Sequence, residues 1–136
     1  LYEEATALLE EEKYKEAAII FLKLRDFRDS EELYDETQKG IIYEEANELF
    51  SQARYNEAIE KYDEIIDFSD SSDRKMEAQY QLALEEFMNN HYETARQLLV
   101  KLGDYEDSEL YLAQIDLSLT EDNQNIIYSE DMALKN

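Results

Sequence analysis

The chain of 136 residues contains no cysteine, no proline and only two glycines, and 35% of its residues are charged. This length allows one domain with a sizeable core, and the scarcity of helix-breaking residues favours a helical protein. The absence of cysteine excludes disulfides, thiol catalysis and thiolate zinc sites, and the net charge of -22 disfavours nucleic acid and anionic lipid as partners.

The sequence carries one pattern three times. Tyr2, Tyr43 and Tyr80 begin the three series of matching residues and lie 41 and 37 residues apart. The difference of four residues is close to one helical turn, so an insertion of this size keeps an apolar helix face in place. Three copies are the usual minimum for stacked units, which predicts a repeat protein. The other matching positions are Ala5, Ala46 and Ala83; Leu9, Phe50 and Phe87; Tyr14, Tyr55 and Tyr92; Ala17, Ala58 and Ala95; Phe21, Tyr62 and Leu99; and Leu24, Ile65 and Leu102.

Each repeat is predicted to form two helices separated by a short break. Tyr43, Ala46 and Phe50 have the spacing of one helix face, and the residues that follow Tyr55 repeat it. The breaks read EKYKE, ARYNE and NHYET, and in each the tyrosine enters the second helix. The short second helices are expected at 14–24, 55–65 and 92–102. A small alanine in both helices of a pair would let the two backbones approach closely.

An acidic motif separates successive repeats, and it could bind a metal or terminate a helix. Its copies are RDFRDS at 25–30, IDFSDS at 66–71 and GDYEDS at 103–108. A calcium loop needs alternating oxygen ligands, a glycine at the turn and a distal glutamate, which this spacing does not provide. Helix capping needs less, because Asp29, Asp70 or Asp107 can accept hydrogen bonds from the free N–H groups of the next helix. The pattern therefore predicts N-caps, with the aromatic residue anchoring the loop.

Long helices are predicted after each of these motifs. No glycine or proline interrupts 71–89, so one helix should run into the first helix of the third repeat. A similar helix is expected at 30–50, with Gly40 as a weak point, and another should continue to about residue 119. The segment TEDNQN at 120–125 is predicted to be a loop, because turn-forming residues dominate it. The segment 128–136 echoes the start of the first repeat and is expected to be a solvent-facing terminal helix.

The paired alanines and the tyrosine that enters each second helix resemble the tetratricopeptide repeat family. These units are longer than that family's 34 residues, and the acidic motif replaces its usual proline. The pattern is most similar to a divergent bacterial subgroup with gDYxDS between units. The matching residues are Ala5, Tyr14, Ala17 and Phe21; Ala46, Tyr55, Ala58 and Tyr62; and Ala83, Tyr92 and Ala95.

The resemblance covers residues 1–119 and implies an all-α solenoid, a right-handed superhelix with about seven to eight helices. We expect a single solenoid domain over 1–136. Its repeats would occupy 2–42, 43–79 and 80–119, followed by a capping or truncated segment at 120–136. Some family members bind a carboxylate through Lys, Arg and Asn on the first helix of each pair. Only Asn47 matches here, which disfavours that binding mode.

The sequence offers little catalytic chemistry. His91 is the only histidine, and the two glycines are too far apart to form a phosphate-binding loop. We therefore predict no enzyme activity, no catalytic residue, and no cofactor or metal. No apolar run approaches the roughly 20 residues that span a bilayer, and no segment resembles a signal peptide, so membrane insertion is not expected. The cellular compartment stays open.

Most tyrosines occupy repeat positions, where core packing explains them. Tyr34, Tyr111 and Tyr128 do not, which leaves them as candidates for stacking against a ligand.

The negative charge is spread along the chain, with net values of -6, -7 and -6 for the repeats and -3 for the last segment. Two interpretations remain open: a solvated, self-repelling surface, or an acidic groove that attracts a basic peptide or protein. In the second, Glu44, Asn47 and Glu48 are the candidate partner-binding residues. The predicted function is a protein-interaction or scaffolding module within a longer protein. A passive spacer is the alternative, and an enzyme is the alternative of a different class.

Overall fold

The computed structural model describes the backbone of residues 1–135 and the side chains of residues 1–121. Seven α-helices follow one another, and the described residues contain no strand. The all-α prediction and the predicted number of helices are therefore confirmed. The helices are α1 (Tyr2–Glu10), α2 (Tyr14–Leu24), α3 (Ser30–Ser51), α4 (Tyr55–Glu64), α5 (Ser71–Met88), α6 (Tyr92–Leu102) and α7 (Ser108–Lys135).

The chain divides into two compact bodies. The N-terminal body is Leu1–Ala78 and the C-terminal body begins at Gln79, so the boundary falls within α5. Helices that are consecutive in sequence pack against each other within each body: α1 on α2, α2 on α3 and α3 on α4 in the first, and α6 on α7 in the second.

Alanines mark the places where paired helices cross. In the N-terminal body, Phe21 forms a cluster with the crossing alanines of the first repeat, and Tyr62 does so with those of the second. A side chain of this size lets two helix axes approach closely while the flanking rings fill the groove. The crossings of the first two repeats agree with the prediction, and all six alanines predicted to lie at crossings have 0% exposure: Ala5, Ala17, Ala46, Ala58, Ala83 and Ala95.

The two predicted long helices are confirmed as α3 and α5, but the predicted loop at 120–125 is wrong. Helix α7 continues from Ser108 to Lys135 without interruption. Asn and Asp lower helix propensity by only a fraction of a kcal/mol each, and no proline or glycine follows Gly103. Adding a residue to an existing helix is favourable, so these weak preferences do not stop it. The predicted solvent exposure of 128–136 lies outside the described side chains.

Backbone conformations with positive φ recur at matching positions of the repeats. Between paired helices, Glu12, Ala53 and Asn90 have φ of 60°, 60° and 63°. The residue that follows the aromatic residue of the acidic motif also has a positive φ. The values are 54°, 51° and 47° at Arg28, Ser69 and Glu106. A β-carbon in this region costs about 1–2 kcal/mol, and asparagine tolerates it best. The packed helices therefore impose these turns on residues that do not favour them.

Gly40 is a contact point in α3 and not merely a weak point of that helix. A β-carbon at this position would lie 2.3 Å from Cδ1 of Tyr14. The Tyr14 side chain is only 9% exposed and has little room to move. Glycine thus allows the buried ring of α2 to lie against the backbone of α3.

Candidate protein-binding site

The acidic motif closes each of the first two repeats onto the tyrosine that begins it. The Tyr2 hydroxyl donates a hydrogen bond to the Asp29 carboxylate, and the Tyr43 hydroxyl donates to Asp70, 27 residues away in both cases. In the third repeat the corresponding Tyr80 lies near the backbone of Asp107. The aromatic residue of each motif packs edge-on against the same tyrosine, with ring centroids 5.8 Å apart for Tyr2–Phe27, 5.6 Å for Tyr43–Phe68 and 5.7 Å for Tyr80–Tyr105.

The predicted side-chain capping by Asp29 is wrong. Its carboxylate makes no hydrogen bond to the free N–H groups at the start of α3, and it accepts one from the Tyr2 hydroxyl. The Ser30 hydroxyl donates to the Phe27 carbonyl at 2.6 Å. The motif serines Ser30, Ser71 and Ser108 are all fully buried, which shows that a small side chain is required at each helix start.

The motif also shows no metal geometry. Among the side chains described, no three metal-ligating groups of the His, Cys, Asp or Glu type come together. The carboxylates of Asp29 and Asp70 are engaged by tyrosine hydroxyls. The motif therefore joins the end of a repeat to its beginning.

In the second repeat this contact extends into a network around Arg74. Nε of Arg74 donates to Asp70 at 2.9 Å, and its guanidinium lies 5.3 Å from the centre of the Tyr43 ring. The amide oxygen of Asn47 accepts from the Tyr62 hydroxyl at 2.5 Å and from Arg74 at 3.3 Å. Asn47, one of the predicted partner-binding residues, thus uses its oxygen inside the protein.

These contacts change the acidity of the groups that make them. Burial, followed by the hydrogen bond to Asp70, raises the pKa of Tyr43. The hydrogen bond from Tyr43 in turn lowers the pKa of Asp70. The hydrogen bond to Asp29 raises the pKa of Tyr2. Tyr43 is therefore held protonated beside the ionised carboxylate of Asp70, and the raised pKa likewise keeps Tyr2 protonated.

Glu44 and Glu48, the other two predicted partner-binding residues, lie apart from Asn47. They line an open groove of about 500 Å³ between α3 and α4, which we call the α3–α4 groove. Both glutamates are exposed. The position of Glu44 and Glu48 along one groove agrees with their spacing of one helical turn.

The α3–α4 groove neutralises much of its own charge. Lys61 lies 3.3 Å from Glu45, and Arg54 lies 2.6 Å from Glu57. Gln52 donates to the Glu48 carboxylate at 3.0 Å. A charged partner that binds here would have to compete with these internal contacts.

A second groove lies between the end of α2 and the start of α3. It has a volume of about 350 Å³, and we call it the α2–α3 groove. Its apolar lining comprises Phe21, Leu22 and Tyr34, and its charged lining comprises Arg25, Asp26, Glu31 and Asp35. Sequence reasoning did not select these acidic residues, because Asp26 lies within the acidic motif and an exposed glutamate or aspartate on a helix has no distinguishing sequence signal.

The three tyrosines that do not occupy repeat positions differ in their surroundings. Tyr34 lines the α2–α3 groove and is half-buried. Tyr111 packs edge-on against Phe87 and Tyr80, with centroids 5.2 Å and 6.5 Å away, and so belongs to the core of the C-terminal body. Tyr128 lies outside the described side chains. Tyr34 is thus the candidate that faces an open groove.

The single histidine takes part in a surface contact. Nδ1 of His91 lies 2.7 Å from the Glu86 carboxylate, and the His91 side chain is 62% exposed.

In the part of the chain that the structure describes, no helix has both the length and the apolar character needed to cross a membrane.

Comparisons with known proteins identify no relative of this chain. No protein-family model, no curated protein and no solved structure matches this chain. Its function has to be argued from its own residues and geometry.

Proposed function

We propose that this chain is a protein-interaction module of the tetratricopeptide-like class, with no catalysis of its own. The observation that carries the proposal is the presence of open, charged grooves between consecutively packed helices of the N-terminal body. Side chains on packed helices keep fixed spacings, which suits recognition of another protein.

A basic protein or peptide is the partner that the charge favours. A net charge of -22 attracts a basic surface and accelerates its association, while it repels acidic partners. The surface attraction is screened over about 10 Å at 0.1 M ionic strength, so binding should weaken as salt rises.

Affinity capture with the immobilised chain tests this function. A true partner should bind saturably to the native chain and should be confirmed by calorimetry with both proteins purified. The matched control is Ala58→Glu, which retains the acidic composition but buries an unpaired charge at a fully buried helix crossing. We expect this variant to be unfolded by circular dichroism and to lose the partner.

The possible results separate three interpretations. Retention by the native chain alone supports recognition of the folded module. Equal retention by Ala58→Glu shows attraction to an acidic chain regardless of fold. Absence of any saturable partner contradicts the interaction module and leaves the passive spacer as the better account.

A further inference from the structure

We propose that the α2–α3 groove is the docking surface for a basic amphipathic helix of a partner protein. An apolar side chain of that helix would enter the groove, and its Lys or Arg side chains would pair with Asp26, Glu31 and Asp35. This inference rests on the proposed interaction function and names the site and the partner class.

The apolar part of the groove is accessible. Leu22 in the lining is 56% exposed, and the fully buried Phe21 lies behind it. Ile19, one turn earlier on α2, is 59% exposed and extends the apolar strip along the helix. Single exposed hydrophobic side chains are common on protein surfaces. Two adjacent ones beside a groove form a small apolar patch, which is the kind of surface that binds a partner. Tyr34 adds an aromatic face from α3.

The charged part of the groove lacks internal partners. Among the residues whose side chains are described, none of Asp26, Glu31 and Asp35 forms an ion pair within 4 Å. Arg25 is the only cation in the lining, so the acidic residues exceed the basic ones by two. The α3–α4 groove differs, because two of its glutamates are paired with its own cations. The α2–α3 groove thus offers carboxylates that a partner can reach without breaking an existing pair.

The spacing of the carboxylates fits a helical partner. Glu31 and Asp35 are four residues apart in the first turns of α3, so they share one face about 5–6 Å apart at their β-carbons. Basic residues spaced three or four apart on a partner helix have the same separation. Asp26, two residues after the end of α2, contributes a third negative charge to the groove.

Other occupants are disfavoured by charge. A second copy of the chain would bring another charge of -22 to the same surface. Nucleic acid phosphates and anionic lipid head groups would be repelled by the unpaired carboxylates for the same reason. A basic protein segment is the occupant that satisfies both the apolar strip and the negative charge.

A defined peptide pair tests the groove directly. The probe is a synthetic helical peptide with leucines along one face and lysines flanking them, and its control carries glutamate at every lysine position. Titration of the ¹⁵N-labelled chain should shift amide resonances of α2 and of the start of α3 with the lysine peptide only. The shifts should weaken as salt is raised.

Two variants with the same change in charge locate the site. Asp26→Lys/Asp35→Lys should weaken binding of the lysine peptide at least tenfold and should allow the glutamate peptide to bind. Glu60→Lys/Glu64→Lys raises the net charge equally at exposed positions of α4 that line neither groove, so it should bind within about twofold of the native chain. Leu22→Ser should reduce affinity several-fold without changing charge. Circular dichroism checks that each variant is folded.

Three results would overturn the docking surface: shifts that map to the α3–α4 groove or to no site, equal weakening by both charge variants, or no effect of Leu22→Ser. The capture experiment judges the interaction function separately. A protein partner that binds the native chain and the Asp26→Lys/Asp35→Lys variant equally would disprove this groove and leave the interaction module standing.

Discussion

The packing of a neighbouring helix limits the size of the residue that fits at some positions of this protein. Gly40 has no side chain because the Tyr14 ring occupies the position of a β-carbon. Ala53 has a β-carbon although its φ of 60° favours glycine. At both sites glycine is expected to be more stable than alanine, for a steric reason at Gly40 and a backbone reason at Ala53.

Gly40→Ala should destabilise the protein even though alanine is the better helix former. Alanine in a helix interior gains roughly 0.5–1 kcal/mol over glycine. The added methyl group would lie 2.3 Å from the Tyr14 ring, and overpacking of this kind costs about 1–3 kcal/mol. Urea denaturation should therefore show a net loss. The matched test is Gly40→Ala in a Tyr14→Ala background, where the added methyl group should stabilise the protein. An equal loss of stability in that background would show that Tyr14 is not the cause.

Ala53→Gly should stabilise the protein by about 0.5–1 kcal/mol, because it removes the steric cost of a left-handed alanine. The gain is smaller than that cost, since glycine also loses more entropy on folding. Ala7→Gly, at an exposed position within α1, serves as the control and should destabilise by roughly 1 kcal/mol. Thermal melts of both variants measure the difference, and destabilisation by Ala53→Gly would contradict the backbone geometry of this turn.

At the scale of elements, the acidic motif holds a repeat together through contacts between distant residues. Tyr43 at the middle of α3 and Asp70 just before α5 lie 27 residues apart, and the Phe68 ring packs on the same tyrosine. The first repeat uses Tyr2, Asp29 and Phe27 in the same way. The helix ends are thus fixed by this contact and by the buried serine, and the Asp29 carboxylate has no part in capping α3.

The tyrosine–aspartate contact predicts a dependence of stability on pH. Asp70 has a lowered pKa in the folded protein, so its contribution is present above the unfolded value near 3.9 and is lost as pH falls through the folded pKa. Tyr43 has a raised pKa, so its contribution is present below the unfolded value near 10 and is lost as pH rises through the folded pKa.

Tyr43→Phe should therefore cost about 0.5–1.5 kcal/mol at neutral pH, the usual net worth of a hydrogen bond. The difference from the native chain should shrink toward pH 3 and above pH 10. Tyr55→Phe is the control, because the hydroxyl of Tyr55 lies outside this network. The test is to measure the free energy of unfolding of the native chain and of both variants from pH 3 to 11. If the difference between Tyr43→Phe and the native chain does not change with pH, ionisation of this pair is not involved.

At the scale of the whole molecule, the acidic charge opposes folding more than the ion pairs support it. Each of the six ion pairs that Lys and Arg form among the described residues includes a side chain that is at least 46% exposed. Exposed pairs contribute about 0–1 kcal/mol each, whereas a net charge of -22 produces repulsion over the surface. Screening should thus stabilise the fold.

Raising sodium chloride from 0.01 M to 0.1 M shortens the screening length from about 30 Å to about 10 Å, and the melting temperature should rise by a few degrees. Calcium and magnesium chloride at equal ionic strength should produce equal shifts, since the described side chains of the acidic motif show no metal geometry. A calcium shift many degrees above that of magnesium would restore the metal interpretation of the motif. A fall in melting temperature with salt would show that the ion pairs outweigh the repulsion.

The sequence alone determined the helical class, the paired helices of each repeat and the buried alanine crossings. These features depend on residue size and on a spacing of three or four residues, and both can be read along the chain. Helix α7 marks the limit of such reasoning, because a cluster of weak turn formers at 120–125 did not end it.

Only the tertiary structure decided which side chains meet across the helices. The aspartates of the motif can cap a helix or accept a tyrosine hydroxyl, and the choice depends on how α3 brings Tyr43 to Asp70. The same packing placed Asn47 in an internal network and Tyr34 beside unpaired carboxylates. A carboxylate on a helix surface has the same local sequence signature whether it faces water, a cation or a groove. Its role follows from its neighbours in space, which only the packing of the helices supplies.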